Sequence, residues 1–234
     1  MIDPLYLTGS SIQYDVQRLN TISNNAANAL TPGFKREFLS LSGQYDFGMS
    51  PLLTTTLSSQ VDYRPGVFRQ TSRPLDFTIS GQGFFEIETV HGRAYTRTGA
   101  FTLNENGVLT TQQGDAVYGL NGKITLMTDT PVVDGQGQIY ENGKLIGQLK
   151  VLDIESPQTL QHIGGGIYLP QENTQARLLD NPKVVQGGLE SSNVNSASEM
   201  VSLIETMRHY ELSHKVMQAY DDLSDRVLRN LGQF

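Results

Sequence analysis

The chain has 234 residues, 38% of them apolar, with 23 glycines, no cysteine, no tryptophan and a formal net charge of −7. That length supports one large domain or two small ones with real cores. The acidic balance leaves no positive field for nucleic acid or an anionic membrane surface, and the missing thiols exclude disulfides and thiolate metal sites.

The N-terminal stretch MIDPLYLTGSSIQYD has no basic n-region and no unbroken apolar core, so it reads as neither a Sec signal peptide nor a membrane span. Asp3-Pro4 instead predicts a helix start, an N-cap residue followed by proline at the first helical position. Leu5, Ile12, Val16, Leu19, Ile22, Ala26 and Ala29 then recur at three- and four-residue steps. They form one narrow apolar stripe on a helix that runs to near Leu30 and is stopped by Thr31-Pro32-Gly33. The other side is polar and carries Asn20, Asn24, Asn25 and Asn28. Asparagine amides compete with a helical backbone. Such a cluster implies either a partner that satisfies the amides or a solvated face.

Residues 34–74 are mixed and read as an extended or linker region. Phe34, Phe38 and Leu41 are available to cover apolar surface, 48–56 is rich in Ser and Thr, and Val61–Phe68 alternates around Pro65-Gly66. Residues 75–189 read as a central all-β domain. Short alternating segments occur at Leu75–Ser80, Phe84–Val90, Ala94–Arg97, Val108–Thr111, Ala116–Tyr118, Ile124–Met127, Gln138–Tyr140, Leu145–Ile154, Gly166–Leu169 and Gln175–Leu179. Turn dipeptides such as Asn106-Gly107, Asn121-Gly122, Asp134-Gly135 and Asn142-Gly143 divide them.

The last stretch opens with a capping box, Ser196 and Glu199, and contains no Gly or Pro until Gly232. It predicts a helix of about 35 residues, roughly 50 Å long at 1.5 Å per residue. Leu203, Tyr210, Met217 and Leu231 fall on one seven-residue register, Met200, Met207 and Leu228 on a second, and Leu212, Val216, Tyr220, Leu223 and Val227 to the side. More than one apolar stripe calls for more than one neighbour.

The expected fold is therefore mainly β with long terminal α-helices. The domains are 1–33, an N-terminal helix; 34–74, the extended region; 75–189, the β-domain; and 190–234, the C-terminal helix. The two helices have no comparable helix between them. They pack as a coiled-coil-like pair with each other, on the same helices of neighbouring subunits, or both.

Chemistry-bearing patterns are sparse. Gly81-Gln82-Gly83 lacks the third glycine of a dinucleotide loop and the Gly-Lys-Ser/Thr of a P-loop, so it reads as a strand-edge turn. His209 and His214 lie at i,i+5 and diverge, where a zinc pair needs i,i+4. No carboxylate pair accompanies a nucleophile motif. Thr96-Arg97 reads as a structural ion-pair or hydrogen-bond site. No catalytic residue, cofactor or metal site is expected.

Three blocks carry a resemblance. The run Ser23-Asn24-Asn25-Ala26-Ala27-Asn28-Ala29-Leu30-Thr31-Pro32-Gly33-Phe34-Lys35 resembles SNN-x-AN-x-x-T-x-GFK, the N-terminal signature of the flagellar rod and hook family, departing from its usual residues at Ala26 and Leu30. Ile79–Phe85, Tyr95–Phe101, Asn106–Leu109 and Gly114 look like that family's central β signature. Gly187–Asn195 with Glu199-Met200 resembles the entry to its C-terminal helix. The length and the stretch Ile139–Tyr168 look most like the proximal-rod branch (FlgF-type), with the distal-rod type as the alternative.

The resemblance implies a non-enzymatic structural subunit of the bacterial flagellar basal-body rod. Such subunits self-assemble through their terminal helices into a hollow, torque-transmitting axial tube that spans the periplasm. Its partners would be copies of itself, other rod subunits and the flagellar type III export apparatus, with no nucleic acid, no small-molecule substrate and no stable membrane insertion. Export would proceed without a Sec signal peptide. The assembly interface would comprise Leu5, Ile12, Val16, Leu19 and Ile22 on the first helix and Met200, Leu203, Met207, Tyr210, Met217 and Leu228 on the last. Asn24, Asn25 and Asn28 would set register. The alternative is a periplasmic β-domain that binds cell-wall carbohydrate, with helices for oligomerisation; it needs an aromatic platform on a β face.

Overall fold

The computed structural model describes residues 4–45 and 53–231, excepting the side chains of residues 4–7, 41–45, 53–56, 228 and 230–231. The expected cap at Asp3, the stop at Gly232, part of the Ser/Thr-rich run, and the side chains of Leu5, Leu41 and Leu228 lie outside the described residues.

The chain divides into two compact units built from interleaved segments. A helical unit takes Met1–Ala27, Glu37–Gln60 and Asn195–Phe234, and a β unit takes Asn28–Arg36 and Val61–Val194. The 34–74 stretch is thus shared between them.

In the helical unit, α1 (Pro4–Ala27) and α2 (Ser196–Leu231) pack along one another, and the strands β1 (Glu37–Tyr45) and β2 (Leu53–Val61) pair in a two-stranded sheet. β1 also packs on α1. Two local expectations change. α1 ends at Ala27, short of Leu30, because Asn28 closes a turn: its carbonyl accepts from the Thr31 N–H at 3.0 Å and its Oδ1 from the Thr31 hydroxyl at 3.2 Å. The cap of α2 is Asn195, one residue before the expected Ser196. Its Oδ1 accepts from the N–H groups of Ala197 and Ser198 at 3.1 and 3.2 Å.

The β unit is antiparallel in its ladders. Its largest sheet is built around β5 (Phe84–Thr89), after the short β3 (Phe68–Gln70) and β4 (Phe77–Ile79) in the chain. β5 pairs with β6 (Gly92–Thr96), with Ala116–Gly119 and with Val151–Ile154. A separate three-stranded sheet joins Val132–Val133, Gln138–Glu141 and Lys144–Gln148. Its hairpin turns on Asn142 and Gly143, with φ of 50° and 77°, as a primed turn requires. Alternation along β5 sends Phe85 and Ile87 into one buried cluster and Phe84 into a second with Tyr95, Leu152, Leu160 and Tyr168.

Two predicted strands are corrected. Leu145–Ile154 is two strands, Lys144–Gln148 and Val151–Ile154, which separate at buried Leu149 into different sheets. Ile124–Met127 forms only an isolated bridge, Thr125 to Val108, although Ile124 and Leu126 are buried. Apolar alternation reported which side chains are inside, and not whether the backbone had a ladder partner.

Candidate assembly interface

The innermost side chains between α1 and α2 are mostly polar. Of the fully buried side chains described on the two helices, Asp15, Asn25, Glu199 and Thr206 are polar and Ile22 alone is apolar. Asn25 bonds β1 twice: its Oδ1 accepts from the Glu37 N–H at 2.9 Å, and its Nδ2 donates to the Glu37 carbonyl at 2.7 Å. The same Nδ2 lies 3.5 Å from Glu199 Oε2. Further along, Asp15 Oδ2 lies 2.6 Å from His209 Nδ1. His214 stacks on Tyr210 with planes 14° apart, so the two histidines take separate partners. Among the described residues, no group of three His, Cys, Asp or Glu is placed to hold a metal.

The large apolar side chains lie on the outside. Met200 is 60% exposed and Met207 50%, and Val201, Ile204, Leu212, Val216, Leu223 and Val227 are exposed with them. Val16 on α1 is exposed as well. Ile12, Leu19, Leu203, Tyr210 and Met217 are half-buried. The two rows foreseen on α2 therefore differ in role. Leu203, Tyr210 and Met217 belong with the Glu199–Thr206 face that meets α1, and Met200 and Met207 face away. Among the asparagines, Asn24 is exposed, Asn25 is completely buried within the chain, and Asn28 belongs to the turn after α1.

The β unit holds a buried ion cluster centred on Glu190. Its Oε1 accepts from Lys35 Nζ at 2.5 Å and from the Gly66 N–H at 2.7 Å, and its Oε2 lies 2.8 Å from Arg97 Nη2. Lys35 also donates to the Arg64 carbonyl at 2.8 Å, and Arg97 to the carbonyls of Gly83 and Gly81 at 2.6 and 2.8 Å. Burial holds the Lys35 ammonium below the ordinary lysine range, against the pull of Glu190, and Arg97 adds to the depression. Asn193 ties two adjacent backbone segments: its Oδ1 accepts from the Arg36 N–H at 2.7 Å, and its Nδ2 donates to the Asp62 carbonyl at 2.8 Å. Gly33 has φ +69°, and a Cβ there would lie 2.5 Å from the Arg97 carbonyl carbon, so the backbones meet too closely for a side chain.

Lys35, Arg97 and Glu190 stand in the three blocks singled out in the sequence. The sequence reads Thr96-Arg97 as a structural ion-pair or hydrogen-bond site; Arg97 pairs with Glu190 and Thr96 donates to the Gly166 carbonyl at 2.9 Å. Glu190 as the partner of Arg97 is not legible in the sequence, because no spacing rule links residues so far apart.

Three family models match in the same order. They are "Flagella basal body rod protein" over residues 15–35, "Flagellar hook protein FlgE/F/G D1 domain" over 78–176 and "Flagellar basal body rod FlgEFG protein C-terminal" over 185–230. The flagellar basal-body rod protein FlgF of Caulobacter vibrioides is 32% identical, with 100% of this chain and 99% of the relative covered. The chain belongs to the flagellar basal-body rod family. The rod protein FlgG of Buchnera aphidicola subsp. Acyrthosiphon pisum is 30% identical with both chains fully covered, and FlgF of Escherichia coli 31% with 88% of each. Relatives of both types stand at near-equal identity, so the chain is a rod protein of FlgF or FlgG type. The rod family is structural and not enzymatic. Among the described residues, no helix is long and apolar enough to cross a membrane. In the β unit Phe34, Phe77, Phe84, Phe85, Phe101 and Tyr168 are buried and Phe68 is 52% exposed, and the relatives give the carbohydrate alternative no support.

Proposed function

We propose that this chain is a structural subunit of the flagellar basal-body rod that assembles through α1 and α2, with copies of itself and with other rod subunits, into a hollow, torque-transmitting axial tube. The observation that carries this reading is the row of large apolar side chains that α2 leaves exposed, while the most deeply buried positions of the pair are mostly polar. Burying one Leu, Ile or Met side chain contributes about 1.5–3 kcal/mol. A helix with Met200, Ile204, Met207, Leu212 and Val216 in water gives up that gain until neighbours cover them. The polar seam holds the pair in register as a coiled-coil-like unit, and the outer rows, with Val16 and Asn24 on α1, supply contacts between subunits. Open-ended heterologous contacts of this kind generate a helix of subunits and not a closed ring. Passage through the flagellar type III export channel completes the reading. A Cys-free chain suits transfer into an oxidising space.

Sedimentation of the full chain at increasing concentration tests this. Wild type should associate, and Met207→Glu should stay monomeric with its thermal unfolding nearly unchanged, because the side chain is half in solvent already. A Met207→Glu chain that assembles like wild type would sink the proposal.

A further inference from the structure

The two cross-seam contacts set the stagger of the helices. Asp15 faces His209, and Asn25 faces Glu199. Ten residues along α1 are matched by ten along α2 in the opposite direction, so Pro4, where α1 begins, comes level with Tyr220. The rest of α2, Asp221–Leu231, runs on for about 16 Å at 1.5 Å per residue.

The face of α2 that meets α1 follows two seven-residue registers, Glu199–Thr206–Ser213 and Leu203–Tyr210–Met217. Continued, they reach Tyr220, level with the start of α1, and then Ser224 and Val227 beyond it, with Leu223 flanking them. Met217 is half-buried, but every residue described from Gln218 to Val227 is exposed, including Leu223 at 60% and Val227 at 53%. The apolar surface of α2 thus continues past the first described residue of α1. At the opposite end of α2, Met200, Ile204 and Met207 make a second uncovered strip. Both strips span seven residue steps, about 10 Å, with apolar side chains at one three-residue and one four-residue step.

Resting on the assembly reading above, we propose that the overhanging Tyr220–Leu223–Val227 strip of one copy docks on the Met200–Ile204–Met207 strip of a second copy, head to tail. A symmetric pairing of overhang with overhang leaves every Met200 strip in water. The head-to-tail arrangement covers both strips with one type of contact, continues the existing seam with another helix, and never closes.

The absence of cysteine makes cross-linking clean. Full-length Ile204→Cys and Leu223→Cys chains, and separately Met207→Cys and Val227→Cys chains, are mixed at assembling concentration and oxidised mildly. The mixed pairs should give disulfide-linked dimers, and each variant alone should give none. Self-linked Leu223→Cys or Ile204→Cys, or mixtures that sediment as assemblies without cross-links in either pair, would overturn the head-to-tail contact and leave the assembly reading standing. Wild type that never associates would remove both.

Discussion

Asn25 and Glu37 are joined by both hydrogen bonds that two strand residues would exchange, with the Asn25 amide in place of a backbone. The pair pins the C-terminal end of α1 to the first residue of β1, and Asn25 is completely buried there. An asparagine that weakens the helix locally is retained because it satisfies a strand.

Asn25→Ala should therefore lower the stability of the helical unit by about 1–3 kcal/mol, the cost of leaving buried polar groups unmatched. Asn25→Asp should cost more, since a carboxylate oxygen replaces the donor that faces the Glu37 carbonyl and Glu199. Ser23→Ala, exposed two residues earlier, should stay within about 0.5 kcal/mol of wild type. Urea unfolding followed by helix content compares the three.

Glu190 is the one carboxylate shared by the two cations Lys35 and Arg97, all three nearly inaccessible. Glu190→Gln should destabilise the β unit by about 3–5 kcal/mol, as expected when one partner of a buried ion pair is removed. The check is the denaturant midpoint of the tyrosine fluorescence signal. A shift under about 1 kcal/mol would show that the cluster is not held by charge.

The depressed basicity of Lys35 has a definite sign in pH. The folded chain gives up this proton at a lower pH than the unfolded chain does. Between those two values the unfolded state binds more protons, so stability rises with pH. Wild type should gain stability relative to Lys35→Met as pH climbs toward the ordinary lysine value of 10.5. Parallel pH profiles of the two chains would contradict this.

The segment boundaries can be tested by fragments. A chain of residues 28–194 keeps Lys35, Arg97 and Glu190, and also the pairing of Gly188–Glu190 with β3. Residues 28–189 lose the carboxylate and part of that pairing. The first should unfold cooperatively in thermal denaturation monitored by circular dichroism, and the second should not.

Several features were legible in the sequence because they are local. Three- and four-residue apolar steps placed α1 and α2, Asn-Gly dipeptides placed hairpin turns, and three motif blocks placed the chain in its family. The boundaries that failed depend on competition between nearby groups. Asn28 and Asn195 offered side-chain acceptors that ended one helix early and capped the other one residue sooner than the Ser196 pattern implied. Leu145–Ile154 looked continuous because burial persists through Leu149 while the hydrogen-bond partner changes.

By itself the sequence determined that two amphipathic helices flank a β body, that thiolate and nucleotide-loop chemistry is missing, and to which family the chain belongs. Only the tertiary structure decided which face of α2 meets α1, that polar side chains are buried deepest between them, and that Lys35, Arg97 and Glu190 share one buried site. The physical reason is that periodicity marks a side chain's direction around its own helix or strand. It is silent on which distant segment arrives there. A carboxylate more than 90 residues from either cation becomes their partner only through the path of the whole backbone.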